Sequence, residues 1–312
     1  MTLARFAVRR VALLVATVLA VSVITFTLAK LAPGDPFHLD AENVGTAFQE
    51  AQPSAIAQYF HWLVGVLQLD FGRSAIDQQF VLTRLIAALP SSLILGSVSL
   101  VFSWAVSLLL GLWLAQLHTT RWARVINAGL AAIYAVPPFW VAVLLLLLLA
   151  TDRGVALFPL QGLPLSDGPM PLISHLILPV LCLSLPLISM STRTVSSAVS
   201  LSLRSEFVRA ARARGTPERS ILLSHALRAS AGSLLARLGL QLPHLVSGSV
   251  VIERVFGIHG MGLLAFDAVG QRDTPVILGV TVFLCLFTAL SMVVIDVLSA
   301  KADPRIASSL ST

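Results

Sequence analysis

The chain has 312 residues, of which 56% are hydrophobic and only 12% charged, with 21 Lys and Arg against 15 Asp and Glu. Length alone allows one or two soluble domains, but Leu-, Val- and Ala-rich runs of about 20 residues recur, the length a helix needs to cross a ~30 Å hydrocarbon core. The formal charge of +6 then reflects basic residues gathered in cytoplasmic loops rather than a nucleic-acid surface.

In lipid every backbone amide must be satisfied within its own segment, which leaves helices or closed barrels. The runs are continuously apolar, without the alternation of barrel strands. An all-α polytopic membrane protein is therefore expected, with spans near 9–31, 90–117, 126–150, 172–195, 229–252 and 276–299.

At the N-terminus Arg5, Arg9 and Arg10 precede an apolar run from Val11 to Ala29. That run exceeds the ~7–15 residues of a signal-peptide core, so an uncleaved first span is expected. The polar segment 32–89 follows, opened by Pro33-Gly34-Asp35-Pro36 and closed by Pro90. Within it Ile56, Phe60, Leu63, Val64 and Leu67 recur at helical spacing. They predict an amphipathic helix over Ile56–Leu69, packed on the bundle or lying at the interface.

Later spans carry Pro137-Pro138, Pro179, Pro186 and Pro243. Proline removes a backbone donor and kinks a helix. The kinks either shape the helices or let a pathway open and close. Asp296 reads as a snorkelling or interfacial residue, and Arg237 lies in the fifth span. Cys182 and Cys285 both fall in apolar runs and read as small buried hydrophobes.

Basic residues set the orientation. With the N-terminus inside, the cytoplasmic side holds Arg5, Arg9, Arg10, Arg121, Arg124, Arg193, Arg204, Arg209, Arg212, Arg214, Arg219, Arg228, Lys301 and Arg305. The other side holds only Lys30, Arg73, Arg84, Arg153, Arg254 and Arg272. Both termini are then expected in the cytoplasm. Segment 32–89, with Asp35, Asp40, Glu42, Glu50, Asp70 and Asp77, is expected outside.

The only two lysines are Lys30 and Lys301, and neither stands in a Gly-Lys-Ser/Thr context, so no Walker A loop exists. The histidines (38, 61, 118, 175, 225, 244 and 259) show no ligand spacing. No catalytic, cofactor or metal residue is expected. Energy for any pumping comes from elsewhere.

The most polar insert is Glu206–Ser230. Ser205 can cap a helix that opens with Glu206 at its positive end. Phe207, Ala210, Ala211 and Arg214 then share one face, while Arg209 and Arg212 project elsewhere. Gly215 is a natural stop. Thr216-Pro217-Glu218 restarts a helix, with Thr as N-cap and Pro at the first helical position. The small face could enter a groove on a partner; alternatively the loop only sets topology and touches anionic lipid.

Arg209-Ala210-Ala211-Arg212-Ala213-Arg214-Gly215 resembles the Glu-Ala-Ala-x-x-x-Gly loop of permease subunits in binding-protein-dependent ABC importers. Both Ala and the Gly match. Arg209 stands at the Glu position, as it commonly does in the dipeptide/oligopeptide/nickel branch, so a contact that needs Glu there does not carry over. Leu31-Ala32-Pro33-Gly34-Asp35-Pro36, Gln58-Tyr59 through Asp70-Phe71-Gly72-Arg73-Ser74, Phe256-Gly257-Ile258-His259-Gly260-Met261-Gly262, Arg272-Asp273-Thr274-Pro275 and Asp303-Pro304-Arg305 also resemble that branch. The segment before Gln58 is shorter than the family pattern, which implies a reduced external domain.

The resemblance implies the type I permease fold: 1–31 with the first span, 32–89 external, and a five-helix core over 90–312. That core would contain the coupling loop 198–228. It implies a second permease subunit and two cytoplasmic ATPases that carry ATP and Mg. It also implies an external solute-binding protein, lipid around the spans and no nucleic acid. Phe207, Arg209, Ala210, Ala211, Arg212, Arg214 and Gly215 would be the ATPase-coupling residues. The solute would be a di- or oligopeptide or a nickel or metal-chelate complex, taken up across the bacterial inner membrane. A self-contained ion-coupled carrier or channel, or a membrane scaffold, is the alternative.

Overall fold

The computed structural model describes residues 3–31, 54–117, 120–150, 157–159, 161–165, 168–247 and 250–302. The Pro33–Pro36 and Asp303–Arg305 motifs lie outside these residues, as do Asp35, Asp40, Glu42, Glu50, Arg153 and Arg305. The side chains of Arg5, Arg9, Arg10, Asp296 and Lys301 are outside them too.

The described chain is mostly helical: α1 Leu3–Leu31, α2 Ala55–Leu67, α3 Val81–Gln116, α4 Arg121–Ala135, α5 Pro138–Leu149, α6 Pro169–Leu203 and α7 Glu206–Ala213. Next come α8 Glu218–Ser220, a π-helical turn Ile221–Ala226, α9 Leu227–Gly239, α10 His244–Ser247, α11 Val250–Val255, α12 Met261–Gln271 and α13 Thr274–Ala302. Among the described residues the only β feature is an isolated bridge of Arg73 with Phe80.

Among the described residues three helices are long and apolar enough to cross a membrane: α3, α6 and Thr274–Ile295 of α13. Two further stretches qualify only as bent pairs. α4 and α5 meet at 88° across Val136-Pro137, and Glu218–Gly239 meets His244–Val255 at 49°. The expected third and fifth spans are therefore broken rather than kinked. Pro138 sits at the first turn of α5, where its missing N–H costs nothing.

By contrast, Pro179 and Pro186 lie inside the unbroken 35-residue α6. A membrane helix tolerates proline in its interior where the surrounding bundle accommodates the freed carbonyl; just after Pro186, Ser107 Oγ of α3 donates to the Ile188 carbonyl at 3.3 Å and ties α3 to α6. Pro90 likewise lies inside α3, nine residues after its start. It is not the boundary the sequence suggested. The start is set by tertiary contacts: the Val81 N–H donates to the Gly72 carbonyl at 3.0 Å, and the buried Val81 packs with Phe71 and Val280.

α3 and α6 form the spine and run parallel. Ser184 Oγ donates to the Ser99 carbonyl at 3.2 Å, and Gly111 lies against Thr192 and Val195. A side chain on Gly111 would collide with Val195, so this close approach requires glycine. Near the middle, Trp104 Nε1 donates to Gln241 Oε1 at 2.7 Å, and Gln241 Nε2 donates to Ser191 Oγ at 3.2 Å. That chain ties α3 and α6 to the break after α9. α7 follows the C-terminal end of α6. The turn before α3, with α12 and the start of α13, occupies the other end.

Candidate functional site

All of the expected coupling residues fall in α7 and its cap. The helix starts at Glu206, but Ser205 makes no side-chain cap and donates its Oγ to the Ser202 carbonyl at 2.5 Å. It stops at Gly215, whose φ of +76° is open to glycine at little cost. The Thr216 N–H reaches the Ala211 carbonyl at 3.2 Å and the Gly215 N–H the Arg212 carbonyl at 2.9 Å, the paired bonds of a Schellman ending. Pro217, not Thr216, is the N-cap of the next helix.

The expected face splits in two. Ala211 is fully buried with Val208 and Ile221, and Leu203 packs against them. Phe207, Ala210 and Arg214 are exposed on the opposite side, with Arg209, Arg212 and Gly215 around them. An i, i+3, i+4 pattern marks residues that share a stripe; it does not say which edge of the stripe a neighbour covers. Ala211→Glu would therefore attack the packing of α7 itself, whereas Ala210 is free to meet a partner.

Charges on this element pair among themselves. Arg209, at the position of the family's Glu, is ion-paired with Glu206 one turn earlier. Arg212 forks onto Glu218 across the glycine turn, through Nε at 2.7 Å and a terminal nitrogen at 3.2 Å. The hydrogen bond from Arg212 holds the Glu218 carboxyl below its usual range and pushes the guanidinium up. Arg214 makes no ion pair among the described residues. Beside α7, Ser230 Oγ of α9 lies 3.1 Å from the Ala198 carbonyl and 2.9 Å from Ser202 Oγ, both on α6, which ties α9 to α6.

At the other end two buried carboxylates organise the remaining motifs. Glu253 of α11 is fully buried. Its Oε1 accepts from Ser92 Oγ at 2.9 Å and its Oε2 from the Leu263 N–H at 2.8 Å. Ser92 Oγ in turn accepts from the Met261 N–H at 2.7 Å. The carboxylate and Ser92 therefore satisfy orphan donors at the start of α12, where negative charge suits the helix dipole. A Cβ at Gly260 would lie 2.6 Å from Glu253, which explains one glycine of the Gly-Ile-His-Gly-Met-Gly stretch.

Asp273 is also fully buried. It accepts from Ser74 Oγ at 2.5 Å and from the Ala75 N–H at 3.1 Å, and Arg84 lies 3.5 Å away. Two of the sequence motifs, Asp70–Ser74 and Arg272–Pro275, thus form one clasp. Glu253, Ser92 and Gln241 escaped the sequence reading. An acid embedded in an apolar run just before a glycine-rich turn is the signal that could have found Glu253. Among the described residues no three His, Cys, Asp or Glu side chains converge in a way that could hold a metal.

Residues 107–308, which include α7, match the family described as "Binding-protein-dependent transport system inner membrane component". The chain is 30% identical to the oligopeptide transport system permease protein AppB of Bacillus subtilis (strain 168), over 97% of this chain and 99% of that one. It is 33% identical to a putative peptide transport system permease protein of Brucella abortus (strain 2308), over 96% and 97%. It is 30% identical to the nickel import system permease protein NikB of Staphylococcus aureus (strain USA300), over 94% and 88%. On the match of most of its length, its apolar helices and its ordered motifs, the chain belongs to the inner-membrane permease family of binding-protein-dependent transport systems.

Proposed function

We propose that this permease forms half of the translocation pathway of an ATP-driven importer, and that α7 is the helix through which the motor acts. In this reading the chain crosses the membrane six times with both termini in the cytoplasm, and the broken pairs α4–α5 and α9–α11 each count as one crossing. It pairs with a second permease and two ATPases that bind ATP and Mg, and an external binding protein delivers the solute. The solute is a peptide or a nickel complex, the two cargoes named for the relatives.

The observation that carries this reading is the exposed Phe207–Ala210 stripe, flanked by arginines and carried on buried Val208 and Ala211. A small apolar ridge with a basic rim fits a groove with an acidic rim. Through Leu203 of α6 and Ile221 of the π-helical turn, ATPase closure would bias the helices that follow.

The test is Ala210→Glu in the assembled transporter. Folded permease should remain in the membrane while copurification of the ATPases and uptake both fall at least tenfold. Unchanged uptake would remove α7 from the mechanism. Gradient-driven transport by the purified single chain in liposomes, without ATP, would instead favour an ion-coupled carrier. Uptake assays with labelled dipeptides, oligopeptides and nickel, each with its binding protein, separate the solute classes.

A further inference from the structure

Apart from half-buried Leu63, the face of α2 singled out by the sequence pattern is not the face that packs. Tyr59 and Trp62 turn toward α1: the Tyr59 hydroxyl is 2.9 Å from Ser22 Oγ, and the Phe26 ring lies 5.4 Å from Tyr59 and 6.2 Å from Trp62. Trp62 and Val66 also pack on the core that joins α3, α12 and α13. Ile56, Phe60, Val64 and Leu67 lie on the outward side, and 69%, 56%, 52% and 78% of their surfaces are exposed.

Three observations identify what covers that outward stripe. The first is composition. Residues 55–67 contain no Asp, Glu, Lys or Arg, and His61 and Gln58 are the only strongly polar side chains. A helix apolar on nearly every side is not one that faces water. The second is depth. The apolar run of α1 ends at Ala29, with Lys30 next, and a basic residue at the end of a span sits at the membrane surface. At a 1.5 Å rise per residue, Phe26 lies ~6 Å and Ser22 ~12 Å below Lys30. α2 therefore contacts α1 within one leaflet of a ~30 Å core. The third is continuity. Over the same depth α1 itself turns Ile24 and Leu28 outward, both more than half exposed.

We infer that α2 is seated in the leaflet at the Leu31 end of α1, with Ile56, Phe60, Val64 and Leu67 in contact with lipid acyl chains. Its 13 residues make a rod of ~20 Å, too short to cross. It lies in the leaflet as a monotopic helix held to α1 by the Ser22–Tyr59 contact. A water-soluble partner cannot reach that depth. The placement rests on α1 as a membrane span and not on which side is cytoplasmic, so it stands or falls apart from the coupling role of α7.

The test uses the assembled transporter in phospholipid nanodiscs, with an environment-sensitive bimane label on Phe60→Cys or Val64→Cys. Gln79→Cys, in an exposed turn, is the control. The unsubstituted chain, whose Cys182 is buried and Cys285 half-buried, sets the labelling baseline. Both outward positions are expected to show blue-shifted emission, with quenching by doxyl-labelled lipid several-fold above that at position 79. Quenching by iodide and not by doxyl lipid would place the stripe in water. Protection from both quenchers would place it under another protein subunit, the second permease included. Either result overturns the inference.

Discussion

The two ends of α6 handle charge in opposite ways. At the α7 end, Arg209–Glu206 and Arg212–Glu218 are exposed pairs on the surface of a short helix. At the other end, Glu253 and Asp273 are sealed from solvent and held by hydroxyl and backbone donors from distant segments. Exposed pairs contribute ~0–1 kcal/mol each and can be exchanged for a partner's groups. A buried donor left without its acceptor costs ~1–3 kcal/mol. One end therefore carries ion pairs that are cheap to break, and the other keeps a corner of the fold in one arrangement.

This contrast breaks first, and hardest, at Glu253. Glu253→Ala strands Ser92 Oγ and the Leu263 N–H together, so a loss of ~2–6 kcal/mol is expected, seen as a large drop in melting temperature and in folded yield. Glu253→Gln, which keeps an acceptor oxygen, should lose less. Wild-type melting of Glu253→Ala would show that the corner does not depend on the carboxylate.

Ser74→Ala should cost ~1–2 kcal/mol, because Asp273 keeps the Ala75 N–H and the nearby Arg84 while losing its hydroxyl donor. Proteolysis within 69–80 should become faster, since this bond closes the turn onto the start of α13.

Gly215→Ala sharpens the α7 side. Nothing lies within 4 Å of a Cβ there, so the cost is the left-handed backbone alone, ~1–2 kcal/mol. Melting of the whole permease should fall by only a few degrees (~2–4 °C per kcal/mol), while ATPase copurification falls severalfold. Equal losses in both measurements would erase the distinction between the two ends.

The smallest effect belongs to Glu218→Gln, at most ~0.5 kcal/mol after solvent screening. The Glu218 carboxyl is depressed by its hydrogen bond from Arg212. Its contribution is therefore present above the ordinary carboxylate range and is lost as pH falls through the depressed value. Complex stability in the wild type should show a slight acid loss that Glu218→Gln lacks; identical acid profiles would show that the pair contributes nothing.

Much of α7 was legible because its signals are local. A glycine needed at positive φ, an acid in the first turn and a proline restarting the next helix act within a few residues. α2 was legible from apolar residues recurring at helical spacing, and α13 from its long apolar run. Pro90 misled because a proline forbids one backbone bond without saying whether a neighbouring helix can hold the segment helical. Pro137 sits at an 88° break and Pro186 inside a continuous helix. Pro137 is followed by Pro138, which drives it out of the helical region to ψ 130°, whereas Pro186 is followed by Leu187.

By itself the sequence determined that the chain enters a membrane as helices, since run length and continuous apolarity answer directly to the thickness of the lipid core. It also determined where α7 begins and ends. Only the tertiary structure decided that Ala211 faces inward and Ala210 outward, and that α2 packs through Tyr59 and Trp62 while Ile56, Phe60, Val64 and Leu67 stay exposed. It alone joined Ser92 to Glu253 across 161 residues and Ser74 to Asp273 across 199. A buried carboxylate is stable only where several donors converge, and convergence belongs to the packing of helices rather than to any one stretch of chain.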